Sequence, residues 1–293
     1  MIRDFIYIKA NTLEEALDSI DRHKEDYKII CGGQSLLILM RQGLVAPEYL
    51  IDIKNVKELD YIRYDKKDGL RIGATTTHRA IESSLLVKEK YPALIDMEKN
   101  LASLQTRNWG TIGGNLCHGD PAGDPGPLFM ALNGSVKIAS KQKTRTLPLD
   151  EFFIDYFETA LKEGELLCEI HLPPIPLRTA VAYEKFNIVK NDQGIVSVAA
   201  SISLETDGLT SKDARIVLGA AAPAPMRAFE TEKLLIGKTL SSGLLEKAGE
   251  RASEEADPVP DVHASEEYRR HLVSTLTKKM VKKAWEDAKV QVK

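Results

Sequence analysis

The chain has 293 residues, with 40 Lys and Arg against 43 Asp and Glu and a formal net charge of -3. That balance offers no concentrated positive face, which excludes a nucleic-acid binder that works by charge and leaves small molecules and proteins as the expected partners. No apolar run approaches the roughly 20 residues of a membrane-spanning helix, and Met1-Ile2-Arg3-Asp4 lacks the basic-then-apolar layout of a signal peptide, so the cytoplasm is the expected compartment.

The first predicted strand runs from Phe5 to Lys9. Thr12 follows as an N-cap with Glu15 three residues on, a capping box that opens an amphipathic helix through Ile20. A strand from Lys28 to Cys31 ends in the pair Gly32-Gly33, and a helical pattern begins at once and runs from Ser35 to Gln42. Pro47 and the run Tyr49 to Ile53 start a third strand. Residues 1–57 thus read as a compact α/β subdomain.

The pattern then changes. Tyr61 to Tyr64 and Leu70 to Gly73 read as strands joined through Asp68-Gly69, a hairpin signal. Helices are expected near His78 to Lys88 and Tyr91 to Leu104. A second hairpin is expected around Ser140 to Lys143, between Val136-Lys137-Ile138 and Arg145-Thr146-Leu147. An α+β subdomain with a largely antiparallel sheet fits residues 58–176. Pro173, Pro174 and Pro176 cannot continue a central strand or helix, so a domain boundary is placed there. Beyond it, Ala180 to Lys190, Val196 to Glu205 and Asp213 to Gly219 are strand candidates of a smaller domain, residues 177–293. Its closing helix, Ser265 to Lys289, carries Leu272, Leu276, Met280 and Ala284 as a core-facing stripe.

Two Gly-rich segments carry the chemistry. Thr111-Ile112-Gly113-Gly114-Asn115 and Ile29-Ile30-Cys31-Gly32-Gly33-Gln34-Ser35-Leu36 both suit a backbone wrapped around phosphate oxygens. Without a Cβ, a glycine can take positive φ and bring main-chain N–H groups close to an anion. The competing reading of each alone is a tight turn. Cys31, Cys117 and Cys168 show no C-x-x-C spacing, so neither a disulfide framework nor a metal or cluster site is written here; they read as small buried hydrophobes. His118 beside Cys117 reads as a turn histidine without a metal role.

Together with Asp120-Pro121-Ala122-Gly123-Asp124-Pro125, and with Tyr49 to Ile53, Leu70 to Thr77, Leu172-Pro173-Pro174, Tyr183 to Phe186 and Ala264 to Arg270, these segments resemble the FAD-binding medium subunit of the molybdenum hydroxylases, the family of carbon monoxide dehydrogenase, xanthine dehydrogenase and related oxidising enzymes. The resemblance spans nearly the whole chain. It implies an α+β fold: a two-subdomain FAD-binding domain, PCMH-like and of the carbon monoxide dehydrogenase flavoprotein type, over residues 1–176, then an α+β C-terminal domain with an antiparallel sheet and helices.

The resemblance also implies where FAD lies. Its diphosphate is expected between Ile29 to Leu36 and Thr111 to Asn115, with Ser35, Thr111 and Asn115 as side-chain donors. Asp120 and Asp124 are assigned to ribityl or ribose hydroxyls; both also read as turn formers beside Pro121 and Pro125. Leu101, Ala102, Leu167 and Lys185 fall where relatives approach the flavin or adenine. A cation beside the ring favours the reduced, anionic form, which makes Lys185 the residue expected to tune the potential; otherwise it reads as a surface strand lysine. Cys31 departs from the alanine frequent in relatives.

No catalytic or metal-ligating residue is assigned to this chain. The implied function is electron transfer within an oxidoreductase: FAD here, with the molybdenum cofactor on a large partner subunit and two [2Fe–2S] clusters on a small one, in an (αβγ)2 complex through which any membrane association would be peripheral. The alternative is a stand-alone FAD-dependent oxidase or reductase of the same fold, which would need its own acid/base group; no His or Tyr constellation supplies one. A Rossmann-type dehydrogenase is disfavoured because no G-x-G-x-x-G follows a first strand.

Overall fold

The computed structural model describes residues 2–24 and 26–290. Met1 of the N-terminal reading and residues 291–293 at the end of the expected C-terminal domain lie outside them. Among the described residues three larger sheets and one two-stranded hairpin organise the chain, and the strand-poor stretches between the sheets place the site.

The first sheet is parallel. It comprises β1 (Ile6–Lys9), β2 (Tyr27–Ile30) and β3 (Tyr49–Asp52) in the order β1-β3-β2. Ile8, Ile51 and Ile29 stand in register across it. Helix α1 (Leu13–Arg22) buries Ala16 and Ile20 against this sheet's core, and α2 (Leu36–Gln42) follows the Gly32-Gly33 turn. Thr12 caps α1 by accepting the Glu15 N–H, as expected. The Glu15 carboxylate, however, reaches the N–H of Asn11 at 2.8 Å, one residue before the N-cap, so the box closes one position early.

The second sheet is antiparallel. Strands β4 (Ile62–Asp65) and β5 (Gly69–Gly73) form the first predicted hairpin, and β6 (Ser135–Ala139) with β7 (Thr144–Pro148) form the second. A short hairpin of β8 (Phe153–Asp155) and β9 (Glu158–Thr159) stands apart. The strand β10 (Leu166–Leu172) runs between β5 and β6 and ends immediately before Pro173.

Between β5 and β6 lie α3 (His78–Ser83), α4 (Leu85–Lys90), α5 (Pro92–Asn100), α6 (Leu104–Trp109), α7 (Ile112–His118) and α8 (Pro125–Ala131). The two longer helices expected here are each broken. Ser84 is extended and caps α4 through the Val87 N–H, which ends α3. Tyr91, preceding Pro92, is kept out of the α region by the proline ring. Ala102 takes a φ of 44°, and Ser103 caps α6 through the Thr106 N–H, so the chain turns at 101–103 instead of continuing.

The third sheet is an antiparallel run of β11 (Thr179–Phe186), β12 (Val196–Leu204), β13 (Ser211–Gly219) and β14 (Met226–Arg227). Strand β11 stops at Phe186, short of the expected Lys190, because Ile188 and Val189 turn outward and expose 71% and 61% of their surface. Helices α9 (Phe229–Leu235), α10 (Ser242–Glu255) and α11 (Glu266–Val290) close the chain. The predicted stripe of α11 is buried, with Leu272, Leu276, Met280 and Ala284 at 6% exposure or less beside a fully buried Trp285. No described helix is long and apolar enough to cross a membrane.

Candidate functional site

Every residue singled out above as a cofactor contact lines one cavity of about 550 Å³. That volume lies within the roughly 300–1,000 Å³ typical of small-molecule and cofactor sites. The first parallel sheet contributes Ile29 and Ile30 at the end of β2, then the turn Cys31 to Gln34, then Ser35 and Leu36 at the start of α2. The segment between β5 and β6 contributes Leu101, Ala102, Thr111, Gly113, Gly114, Asn115, Asp120 and Asp124; β10 contributes Leu167 and β11 contributes Lys185.

The two Gly segments meet, but they do different work. In the first, Gly33 holds a φ of +69°, where an L side chain is strained, as the phosphate-loop reading requires. Among the described residues no protein acceptor takes the N–H groups of Gly32, Gly33, Gln34, Ser35 or Leu36. Ser35 makes no capping hydrogen bond, so its hydroxyl is also available. Gly32 has no room for a side chain: a Cβ there would lie 2.5 Å from the Trp109 carbonyl oxygen, which is how closely the first segment packs on the second.

The second segment corrects the expectation drawn from its glycines. Gly113 and Gly114 do not take positive φ; they sit in the first turn of α7 behind the N-cap Thr111. Their amides are already engaged. Ile112 N–H donates to Thr76 (3.0 Å), Gly113 N–H to Ala74 (2.9 Å), Asn115 N–H to Thr111 (2.9 Å), and Gly114 N–H to the Thr111 hydroxyl at 3.3 Å. The glycines serve close approach instead. A Cβ on Gly113 would stand 2.6 Å from both Cβ and O of Ala74, whereas one on Gly114 would meet only Thr111 Oγ1 at 2.9 Å within 4 Å. Amide donors thus come from the first segment, and clearance and hydroxyl groups from the second.

Asp124 is no simple turn former. It is 6% exposed, caps nothing, and accepts from the Tyr183 hydroxyl at 2.5 Å and from Lys185 Nζ at 2.7 Å. Burial pushes its carboxyl above the usual range, with Lys185 opposing the shift. Lys185, at 5% side-chain exposure, is not the surface lysine its strand position allowed. Asp120 does form a turn, accepting the Ala122 N–H at 2.9 Å, and its other oxygen takes Gln193 Nε2 at 2.9 Å. That bond ties the loop after β11 to the cavity wall, where Asn191 Oδ1 is buried without a partner.

Several cavity residues had no signal in the sequence reading. His78 at the start of α3 has Nδ1 at 3.1 and 3.0 Å from the two oxygens of Glu98 on α5. Arg107 supports the wall from behind, its Nη1 donating to the carbonyls of Leu101 and Ala102 at 2.7 Å each. Glu165, another lining residue, is gripped by Arg145, which holds its carboxyl below the ordinary range. The His78–Glu98 and Arg145–Glu165 pairs each join residues 20 apart and leave no local pattern. Cys31 and Cys117 also line the cavity, and burial pushes their thiols up to about 11 and about 12. His118 packs its ring on Phe157 at 5.1 Å between centroids, and no described group of three or more His, Cys, Asp and Glu residues could hold a metal ion.

The site fits an FAD. Unpartnered amides at Gly32 to Leu36 suit pyrophosphate oxygens, the open face of Gly114 gives clearance, and Leu101, Leu161, Leu166 and Leu167 supply apolar wall for a ring system. Comparison with known proteins agrees. A family model described as "FAD binding domain in molybdopterin dehydrogenase" matches residues 3–175, and one described as "CO dehydrogenase flavoprotein C-terminal domain" matches residues 181–284. The chain is 34% identical over 280 residues to the 6-hydroxypseudooxynicotine dehydrogenase complex subunit alpha of Paenarthrobacter nicotinovorans, covering 96% of this chain and 94% of that one. It is 33% identical to the glyceraldehyde dehydrogenase medium chain of Sulfolobus acidocaldarius, with 95% and 98% covered. A solved carbon monoxide dehydrogenase from Hydrogenophaga pseudoflava, in a form lacking the Mo-pyranopterin moiety of its cofactor, superposes with a TM-score of 0.94 at 31% identity, covering 98% of this chain and 99% of that one. The chain belongs to the family of FAD-binding medium subunits of the molybdenum hydroxylases and is an oxidoreductase subunit.

Proposed function

We propose that this chain is the electron-transfer subunit of a molybdenum hydroxylase complex, receiving electrons from [2Fe–2S] clusters on a small partner and delivering them to a final acceptor. A large partner holds the molybdenum cofactor and the oxidisable substrate, in an (αβγ)2 assembly. Bound FAD supplies the redox chemistry, accepting electrons one at a time and releasing them singly or in pairs.

The chain's own residues bind and orient. The N–H groups of Gly32 to Leu36 and the Ser35 hydroxyl would hold the pyrophosphate, where hydrogen bonds to charged oxygens are worth about 1.5–3 kcal/mol each. Thr111 Oγ1 accepts from Gly114 and can turn its own hydrogen toward Cys31 or toward a ligand oxygen. The Lys185–Asp124 pair sets the field at the flavin. Its lysine favours the anionic reduced form, and its carboxylate moderates that effect.

The observation that carries this reading is the one cavity in which the amides after β2, unpartnered among the described residues, meet Lys185 of the third sheet paired with Asp124. Relatives named for carbon monoxide, glyceraldehyde, nicotine and xanthine match over at least 95% of this chain, so the medium subunit is shared while the named compound changes. That pattern supports a substrate site on another chain. The test is native purification, with visible spectroscopy, identification of the released flavin, and analysis of co-purifying chains. FAD together with iron–sulfur and molybdenum-bearing partners is expected. A chain that holds FAD, has no partners and turns over a substrate alone would overturn the subunit assignment in favour of a stand-alone flavoenzyme.

A further inference from the structure

His78 and Glu98 form a polar pair in the interior, 2% and 0% exposed. Burying such a pair carries a desolvation cost that its mutual attraction rarely exceeds, so the fold alone does not account for it. The pair also stands at the cofactor cavity, which His78 lines.

The geometry fixes what the imidazole can do. Nδ1 faces both oxygens of Glu98, so in a pair that is neutral overall one proton lies between them, on either partner, and the ring's other proton sits on Nε2. Nε2 has no hydrogen-bond partner among the described residues, and it is not among the buried atoms left unpaired, so it keeps an accessible face. The backbone is pinned to the second Gly segment: His78 N–H donates to Gly110 at 3.0 Å, and Thr77 bridges Thr111. Cδ2, bonded to Nε2, would lie 3.3 Å from a Cβ on Gly110, with Gln34 Cγ at 3.5 Å from the same point. The Cδ2 side of the ring therefore stands beside Gly110, immediately before the second segment, on a residue that Gln34 of the first segment also approaches.

We infer that His78, oriented by Glu98, is a further FAD-binding residue that presents Nε2–H to a pyrophosphate oxygen between the two Gly segments. Glu98 acts as its positioning residue. The other charged groups that bear on the pair are Arg107 on α6 and Asp124 at the start of α8. Burial raises the Glu98 carboxyl, and His78 opposes that shift, as expected for two groups that share a proton. A neutral pair becomes a donor toward an anion without adding net charge to the interior.

The inference rests on FAD lying in this cavity, and the test separates the two. The full chain, freed of flavin, is titrated with FAD and with riboflavin, which lacks the phosphates, and flavin fluorescence reports the Kd. For His78→Phe, loss of one charge-assisted hydrogen bond weakens FAD about tenfold or more and leaves riboflavin within about twofold. His78→Gln, which keeps an N–H donor, recovers part of the FAD affinity, and Glu98→Gln gives an intermediate loss. An unchanged FAD Kd in His78→Phe, or an equal loss for both flavins, overturns the assignment. A wild-type chain that binds neither flavin overturns this inference and the FAD reading together. Should the variants fail to fold, ¹⁵N-histidine NMR of the wild-type chain decides: the histidine whose Nδ1–H is bonded to a carboxylate shifts at Nε2 on adding FAD and not riboflavin, and no shift refutes the contact.

Discussion

Lys185 reaches the cavity from β11 and meets Asp124 at 2.7 Å with both side chains at 7% exposure or less, so neither can be removed alone without leaving a charge in the interior. Breaking a buried pair from one side costs about 3–5 kcal/mol, while replacing both partners is often close to neutral. Lys185→Met is therefore expected to lower stability by about that amount, and adding Asp124→Asn to restore most of it. Urea midpoints of the two single variants and the double variant check this; additive losses would show that the two residues are not energetically paired. The glycines separate in the same way. Gly113→Ala places a Cβ 2.6 Å from Ala74 and is expected to damage folding, seen as a lower Tm. At Gly114 a Cβ would stand 2.9 Å from Thr111 Oγ1 and nothing else outside its own helix and chain neighbours lies within 4 Å, so Gly114→Val is expected to leave a folded chain with little flavin. Equal flavin content in folded wild type and Gly114→Val would remove that face from the cofactor site. Cys31, its thiol raised to about 11 chiefly by burial, is expected to resist iodoacetamide at pH 8 in the native chain and to react once denatured, as peptide mass spectrometry would show.

At the scale of elements, Thr111 does two jobs, capping α7 and bridging to Thr77 at the start of α3. Thr111→Ala removes the hydroxyl that accepts the Gly114 N–H and is expected to cost about 1 kcal/mol in thermal or chemical unfolding, with Thr111→Ser close to wild type. If Ala and Ser behave alike, the cap contributes nothing measurable. The Gly32-Gly33 turn after its β-branched strand was legible in the sequence, whereas Thr111 was read as a ligand donor and not as the helix cap it is. The breaks at Ser84 and at 101–103 were not legible. Leu, Lys and Glu continue a helical pattern across them, and only the capping hydroxyls of Ser84 and Ser103 mark the stops. Strand β11 was read four residues too long because Ile188 and Val189 look like strand residues while pointing outward. His78–Glu98, 20 residues apart, and Asp124 with Tyr183 and Lys185, 59 and 61 apart, leave no local pattern at all. They exist only once α5 packs on α3 and the third sheet packs on α8.

For the whole molecule, the consequence is that the cofactor cavity is not contained in the N-terminal half that carries both Gly segments. Helix α8 packs on β12 and β13, and Ala199 and Val217 of those strands belong to the same apolar core as Leu128 and Phe129. The contact is close: a Cβ on Gly219 would lie 2.6 Å from Pro127, and one on Gly126 3.2 Å from Pro225. A division of the chain after Pro176, proposed from the prolines, would therefore strip α8 of its cover and deprive Asp124 of both Tyr183 and Lys185. Without those partners the carboxylate is open to water, which changes the wall of the cavity. A fragment of residues 1–176 is expected to keep the first two sheets yet bind FAD at least about tenfold more weakly than the full chain, a loss of about 1.4 kcal/mol or more. Supplying residues 177–293 in trans is expected to recover affinity only if Tyr183 and Lys185 are intact. Fluorescence titration of the fragment, alone and with wild-type or Lys185→Met complement, measures this directly. A fragment that binds FAD as tightly as the full chain would show that the third sheet covers the site without helping to form it, and the Lys185–Asp124 pair would then belong to the interface between the two halves.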